Sequence, residues 1–245
     1  MASPWQGNVA DWLRTGSGLF AQAAQRCTEA DFAGASLLPG WSRSHVVSHV
    51  SANAQAIGRL LHWARTGEPL PMYPSMQERD REIAEGAQLP MDELISWYTT
   101  SNDALQCSFA TLPDDAWSYQ VLTAQGREVP AVETLWMRSR EVCIHAVDLD
   151  MDIGFAQLPE DFLVRLAHEA AARHNGNSST KLAISITTDD GRYLWKIDSA
   201  DGDHGDSAVD ITGPLADIAS WLVGRGAGST YCADGAPVPD LPKWL

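Results

Sequence analysis

Two short segments of this chain each place potential metal ligands four residues apart. The first segment contains His45 and His49, and the second contains Glu141 and His145. Residues at this spacing lie on one face of an α-helix, one turn above each other. Two such helices packed face to face could close a site of histidines and a carboxylate around a divalent cation. Three protein ligands would leave one coordination position open for chemistry, so the pattern predicts a metalloenzyme.

The helical periodicity of each segment separates the better ligand candidates from the weaker ones. In the first segment His49 lies at the edge of the apolar stripe, whereas His45 lies about 40° further out. In the second segment Glu141, His145 and Asp148 border the apolar stripe on a single side. Neutral imidazoles and an ionised carboxylate suit zinc, and iron, nickel and manganese remain open.

Both spacings also have an ordinary structural explanation. Two histidines four residues apart are common by chance, and a glutamate four residues before a histidine often stabilises a surface helix. The first segment lacks the glutamate of an HExxH motif, so it gives no support to a metalloprotease mechanism.

Two arginines are candidates for binding an anionic substrate. Arg79 lies in a run of alternating charges, and Arg225 lies between two glycines. A guanidinium binds a carboxylate through two parallel hydrogen bonds, which favours arginine for this task. From the residues alone, a solvated helix face for Arg79 and a glycine-rich helix end for Arg225 are the favoured interpretations.

The composition indicates an ordinary soluble globular protein. The chain has 245 residues, of which 44% are hydrophobic and 20% are charged, and its formal net charge is −15. Nucleic acids and anionic membrane surfaces require a basic footprint, so both are disfavoured as partners. No signal peptide or apolar run of about eighteen residues is seen. Four scattered cysteines without a CxxC pair favour a cytoplasmic protein. The oligomeric state stays open, and a monomer is compatible with the sequence.

The pattern of apolar residues predicts a helical domain over residues 1–153 and a small α+β domain over residues 154–245. Ser42 is the expected N-cap of one long helix and Gly67 its end, and Pro130 is expected in the first turn of another. Helices are predicted near 8–27, 42–66, 75–86, 91–111, 131–151, 160–174 and 214–223, hairpins within 117–129 and 182–197, and a strand near 207–212.

Several segments of the sequence resemble those of the mycothiol-dependent maleylpyruvate isomerases. They are Leu38–His49, His62–Gly67, Leu122–Pro130 and Glu133–Leu149, of which the last two are the most specific. The resemblance covers nearly the whole chain and is looser in the second domain. It implies a DinB-like four-helix bundle that carries zinc, followed by a small α/β domain.

The resemblance implies a reaction and specific site residues, which are assigned to this chain by their positions in the matching segments. The zinc ligands would be His49, Glu141 and His145, and the arginines important for activity would be Arg79 and Arg225. The reaction is the cis–trans isomerisation of maleylpyruvate to fumarylpyruvate in bacterial gentisate breakdown, a route of aromatic catabolism, with mycothiol as the thiol cofactor. A zinc-activated thiolate would add to the double bond, the resulting single bond would rotate, and elimination would return the thiol. No residue is assigned to mycothiol binding.

Two other functions fit parts of the same sequence. One is another zinc-dependent thiol transferase or hydrolase on the same bundle, with a different substrate pocket. The other is a non-catalytic binding protein with a lipid-carrier-like second domain, in which His45 would complete a closed, four-ligand structural metal site.

Overall fold

A computed structural model of the chain describes residues 8–188, 191–199 and 208–244. The chain divides into two compact units, the first ending at Ile153 and the second beginning at Gly154. The tip of the predicted hairpin at residues 189–190 and the first residue of the strand predicted near 207–212 lie outside the described residues.

Helices dominate the first unit, in which α1, α3, α5 and α6 form a bundle. Helix α1 packs against α6, and α3 packs against both α5 and α6. The short strands β1 and β2 pair antiparallel between α5 and α6 in the sequence. The bounds are α1 Val9–Arg26, α2 Glu29–Ala33, α3 Arg43–Thr66, α4 Met76–Gly86, α5 Met91–Ala110, β1 Gln120–Leu122, β2 Glu128–Pro130 and α6 Glu133–Asp148.

The ends of α3 are fixed by local chemistry, as predicted. The Ser42 side chain accepts a hydrogen bond from the backbone N–H of His45 at the start of the helix. At the other end Gly67 adopts a φ of 76°, a left-handed conformation that glycine reaches without strain. Both predicted caps are therefore confirmed.

The prediction that Pro130 opens α6 is wrong, because Pro130 belongs to β2 and pairs with Gln120. The pairing continues beyond it, since the N–H of Ala131 donates to the carbonyl of Tyr119 at 2.8 Å. The helix therefore begins at Glu133. It also ends before residue 151, because Asp150 has a φ of 53° and leaves the right-handed region.

Helices α1 and α6 approach each other closely at Gly16. A Cβ atom placed there would lie 2.5 Å from Cys143 Sγ and 2.7 Å from Val142 Cγ2. The Gly16→Ala variant is therefore expected to lose about 1–3 kcal/mol of unfolding free energy through overpacking. Gly18→Ala is the matched control on α1, because its Cβ would meet nothing within 4 Å. Chemical denaturation should show Gly18→Ala stabilised by about 0.5–1 kcal/mol, and equal effects at the two sites would contradict the close approach.

The second unit combines two helices with a four-stranded mixed sheet. The strand order is β4-β3-β5-β6, with β3 antiparallel to β4 and parallel to β5. Helix α7 packs against α8. The bounds are α7 Glu160–His174, β3 Leu182–Thr188, β4 Gly191–Ile197, β5 Val209–Thr212, α8 Leu215–Leu222 and β6 Tyr231–Cys232. The predicted fold class, a helical bundle followed by a small α/β unit, is confirmed.

In the part of the chain that the structure describes, no helix has both the length and the hydropathy required to cross a bilayer.

Candidate metal centre

Three side chains from two helices of the first unit converge inside the bundle. His49 comes from α3, whereas Glu141 and His145 come from α6. The Nε2 atoms of His49 and His145 lie 2.9 Å and 3.3 Å from Glu141 Oε2. One potential ligand atom from each residue lies within 4.8 Å of the others. The structure thus brings together the three residues that the sequence resemblance implied as ligands.

The three side chains are largely withdrawn from solvent. The side chains of His49, Glu141 and His145 are 8%, 16% and 11% exposed. The two imidazole rings stand edge to face, with their centroids 4.8 Å apart. A polar cluster at this depth needs partners for all of its polar atoms, and the mutual contacts of the three side chains supply many of them.

Arg43 fixes the relative position of α3 and α6 at one end. From the first residue of α3, its Nε donates to the carbonyl of Leu149 at 2.6 Å, and its Nη2 donates to the carbonyl of Asp150 at 3.2 Å. Carbonyls at the C-terminal end of a helix have no partner within the helix, so a cation there is favourable. The start of α3 is thereby held at the end of α6.

Asp148 orients the ring of His145. The Oδ2 atom of Asp148 accepts a hydrogen bond of 2.8 Å from Nδ1 of His145, and the aspartate side chain is fully buried. Because Nδ1 donates to Asp148, Nε2 is directed at Glu141 and His49, and its lone pair can bind a metal in place of the proton that it shares with Glu141. This carboxylate–histidine arrangement is typical of metal-binding histidines.

The electrostatics of the cluster suit a cation. Burial would raise the pKa of Glu141, but hydrogen bonds from His145 and His49 outweigh burial and hold that pKa well below its usual value. Burial would lower the pKa of His145, but Asp148 and Glu141 raise it to about 9. For His49 burial prevails and lowers the pKa, which favours a neutral imidazole. One ionised carboxylate, one neutral imidazole and one oriented imidazole form a donor set that fits zinc, with the metal replacing a bound proton.

Comparison with known proteins identifies the family. The family model described as the mycothiol maleylpyruvate isomerase N-terminal domain matches residues 13–150, more than half of the chain. The chain belongs to the mycothiol-dependent maleylpyruvate isomerase family. The resemblance noted in the sequence is therefore confirmed.

Two solved structures resemble this family member over almost its whole length. They are described as crystal structures of the mycothiol-dependent maleylpyruvate isomerase and of a histidine-to-alanine mutant of it. Each is 37% identical, covers 98% of this chain and 97% of its own, and superposes with a TM-score of 0.88. A comparison with curated proteins finds no match.

His45 has a different role from His49 in this maleylpyruvate isomerase family member. Its Nδ1 atom lies 2.7 Å from Ser42 Oγ, at the N-terminal cap of α3. The indole of Trp41 stacks on the His45 ring and meets the His49 ring edge to face, at centroid distances of 6.2 and 5.5 Å. His45 therefore serves the helix cap, and Trp41 covers one side of His49. Sequence reasoning did not assign this role to Trp41.

The structure also brings Arg79 to the centre. From α4, its Nη2 atom lies 3.5 Å from Nδ1 of His49, and its Nη1 atom donates to Asp80 at 2.8 Å. Its guanidinium carbon lies 5.9 Å from the ring centroid of Tyr73. Tyr73 is buried, and this burial is the main reason why its pKa is raised to about 12. No sequence pattern pointed to Tyr73, which lies in a proline-rich loop.

Arg225 lies after α8 in the second unit of the isomerase family fold. It is flanked by Gly224 and Gly226, whose φ angles of 73° and 99° require glycine. Its backbone N–H donates to the carbonyl of Ser220 at 2.8 Å, and its Nη1 donates to the carbonyl of Val223 at 2.7 Å. The assignment of Arg225 to the reaction stays a prediction.

Replacement of Asp148 tests the orientation of His145. The Asp148→Asn variant is expected to bind zinc about 10- to 100-fold more weakly, because the amide no longer provides a charged acceptor for Nδ1–H. Asp92→Asn, at an exposed position of α5, is the matched control. Chelator-competition titrations measure both affinities, and equal affinities would show that Asp148 does not support the metal ligand.

Proposed function

We propose that this chain catalyses the mycothiol-dependent cis–trans isomerisation of maleylpyruvate to fumarylpyruvate. Membership of the isomerase family supports this activity. The observation that carries the proposal is the convergence of His49, Glu141 and His145 in the bundle. This donor set has the composition of a catalytic zinc site with three protein ligands, which keeps a position for an exogenous group.

His49, Glu141 and His145 would hold the zinc. When bound, zinc lowers the pKa of a coordinated thiol and so supplies a nucleophilic thiolate at neutral pH. Asp148 would keep the Nε2 lone pair of His145 on the metal. The burial of the three ligands excludes most water, which strengthens electrostatic interactions at the centre.

Arg79 would bind one carboxylate of the substrate and stabilise negative charge that develops on it. The double bond of maleylpyruvate must lose its π character before the carbon–carbon bond can rotate, and electron density then moves towards the substrate oxygens. A guanidinium fixed beside the metal centre opposes this charge at little cost in reorganisation. Contacts with Asp80 and Tyr73 restrict the position of Arg79. The resemblance to the family also makes Arg225 a candidate for carboxylate binding, because a guanidinium binds a carboxylate through two parallel hydrogen bonds.

We further infer that the enzyme is cytoplasmic and that its partners are small molecules. The four cysteines are unpaired, which suits a reducing compartment. The net charge of −15 disfavours polyanionic partners. A small anionic substrate is compatible with that charge, because Arg79 supplies a local cation.

Turnover assays with and without the thiol test the proposed reaction. Purified zinc-loaded protein is incubated with maleylpyruvate in the presence and absence of mycothiol, and fumarylpyruvate is quantified. We expect product only when mycothiol is present. A thiol transferase or hydrolase would instead consume other thiol conjugates without isomerising maleylpyruvate, and thiol-independent or absent turnover would overturn the proposal.

A further inference from the structure

Arg138 is an arginine with no exposed surface inside the helical bundle. It lies on α6, three residues before Glu141. Burial lowers its pKa to about 10, so the guanidinium is still charged at neutral pH. Burying an ionised group is unfavourable, and a well-packed apolar side chain of similar volume often stabilises a fold as well or better. A role other than general stability would account for an arginine at this position.

The guanidinium joins α6 to α3 beside the metal centre. Its Nη1 atom donates to the carbonyl of Val50 at 2.8 Å and to Oδ1 of Asn53 at 2.9 Å. Its Nη2 atom lies 3.4 Å from Oδ1 of Asn102 on α5. Val50 directly follows the proposed ligand His49, and Asn53 lies one turn further along the same helix. The planar guanidinium fork of Arg138 therefore connects α6 to α3 close to the proposed ligands. On α3 it binds the residue next to His49, and on α6 it lies one turn from Glu141.

Two arginines connect α3 to α6 at different heights along the helices. Arg43 of α3 meets Leu149 at the end of α6, and Arg138 of α6 meets Val50 and Asn53 of α3. The proposed ligands lie between these two arginine contacts on both helices. The metal centre is thus bracketed by two sets of hydrogen bonds between the helices that carry its ligands.

This bracketing matters because a metal site tolerates little variation in the helix separation. Zinc holds nitrogen and oxygen ligands at about 2.0–2.2 Å, and functional constellations need placement to within about 0.5 Å. Here α3 provides one ligand and α6 provides two, so their separation determines whether all three reach the ion. Apolar contacts are non-directional, whereas the planar guanidinium fork has a fixed geometry.

We propose that Arg138 is a positioning residue of the metal centre: its hydrogen bonds to Val50 and Asn53 set the separation of the two helices that carry the ligands. The inference rests on the proposed function, because it takes His49, Glu141 and His145 as the metal ligands. It assigns Arg138 no contact with substrate or metal.

Zinc affinity and the visible spectrum of the cobalt-substituted protein test this role. Arg138→Met removes the fork at similar volume, and Arg138→Lys keeps the charge with a single donor group. Cys143→Ala is the control, because Cys143 is equally buried on α6 but its Sγ contacts the carbonyl of Trp12 on α1. In folded Arg138→Met we expect about 10- to 100-fold weaker zinc binding, in the range found for residues that support metal ligands, and an altered cobalt spectrum. Arg138→Lys should recover part of the affinity, and Cys143→Ala should match the wild type in both measurements.

Wild-type affinity and an unchanged cobalt spectrum in folded Arg138→Met would overturn the inference. If Arg138→Met does not fold, Asn53→Ala and Arg138→Lys test the role instead. Several-fold weaker zinc binding and altered cobalt spectra in these two variants would support it. Wild-type zinc affinity and wild-type cobalt spectra in both variants would contradict it. Failure of the proposed metal centre itself is distinguishable, because the wild-type protein would then bind neither metal at these residues.

Discussion

The Glu141→Gln variant is expected to lose its zinc and its isomerase activity together. Structural zinc sites with four ligands bind the metal with about 10–16 kcal/mol, so each ligand contributes on the order of 3 kcal/mol. A loss of this size weakens affinity by more than a hundredfold. The effect should be large here because Glu141 is the carboxylate of the donor set and contacts both histidines, at 2.9 and 3.3 Å. Metal analysis after dialysis and turnover of maleylpyruvate measure the two losses.

A conservative change at a distant carboxylate controls for the loss of a charge. Glu93→Gln alters an exposed residue in the first turn of α5, and surface changes of this kind usually alter stability by less than about 0.5 kcal/mol. Circular dichroism should show both variants folded. Full zinc content in Glu141→Gln would remove this residue from the proposed ligand set.

The Arg79→Ala variant is expected to retain zinc but to lose about 10²–10³-fold in kcat/KM for maleylpyruvate. Loss of one group that stabilises developing charge typically costs about 2.7–4 kcal/mol in the transition state. Arg79 lies 3.5 Å from His49 but is not one of the proposed ligands. The variant should therefore lose activity without losing metal. Arg79→Lys should recover only part of the activity, because an ammonium group cannot bind a carboxylate through a planar fork.

Arg81→Ala provides a matched control on the same helix. Arg81 is exposed and pairs with Glu78 and Glu85 on α4, an arrangement worth little in water. Its replacement should leave kcat/KM within about twofold of the wild type, which corresponds to less than 0.5 kcal/mol. Similar losses in Arg79→Ala and Arg81→Ala would indicate a general effect of charge rather than a specific carboxylate contact.

Local sequence signals predicted much of the first unit. Ser42 and Gly67 fix the ends of α3 through hydrogen bonding and backbone conformation, both of which depend on adjacent residues. The helical wheel placed His49 closer to the core than His45, and His49 is indeed the more buried of the two. Short-range periodicity is sufficient for such predictions because each depends on a few turns of one helix.

Features that depend on partners far along the chain could not be predicted in this way. Pro130 extends a strand because Gln120 pairs with it, although a proline there is also typical of a helix start. The short helix α2 depends on a capping box between Thr28 and Asp31, a signal that is weak in so short a segment. The sequence identifies Arg138 only as a polar residue of a helix. Its burial becomes evident only from the packing of α3 and α5 around it.

X-ray absorption spectroscopy of the zinc-loaded protein would show which atoms bind the metal. We expect nitrogen and oxygen ligands from His49, Glu141 and His145, with no sulfur ligand in the protein alone. Addition of mycothiol should introduce one sulfur atom at about 2.3 Å from the zinc. A zinc environment that mycothiol leaves unchanged would contradict activation of the thiol at this centre.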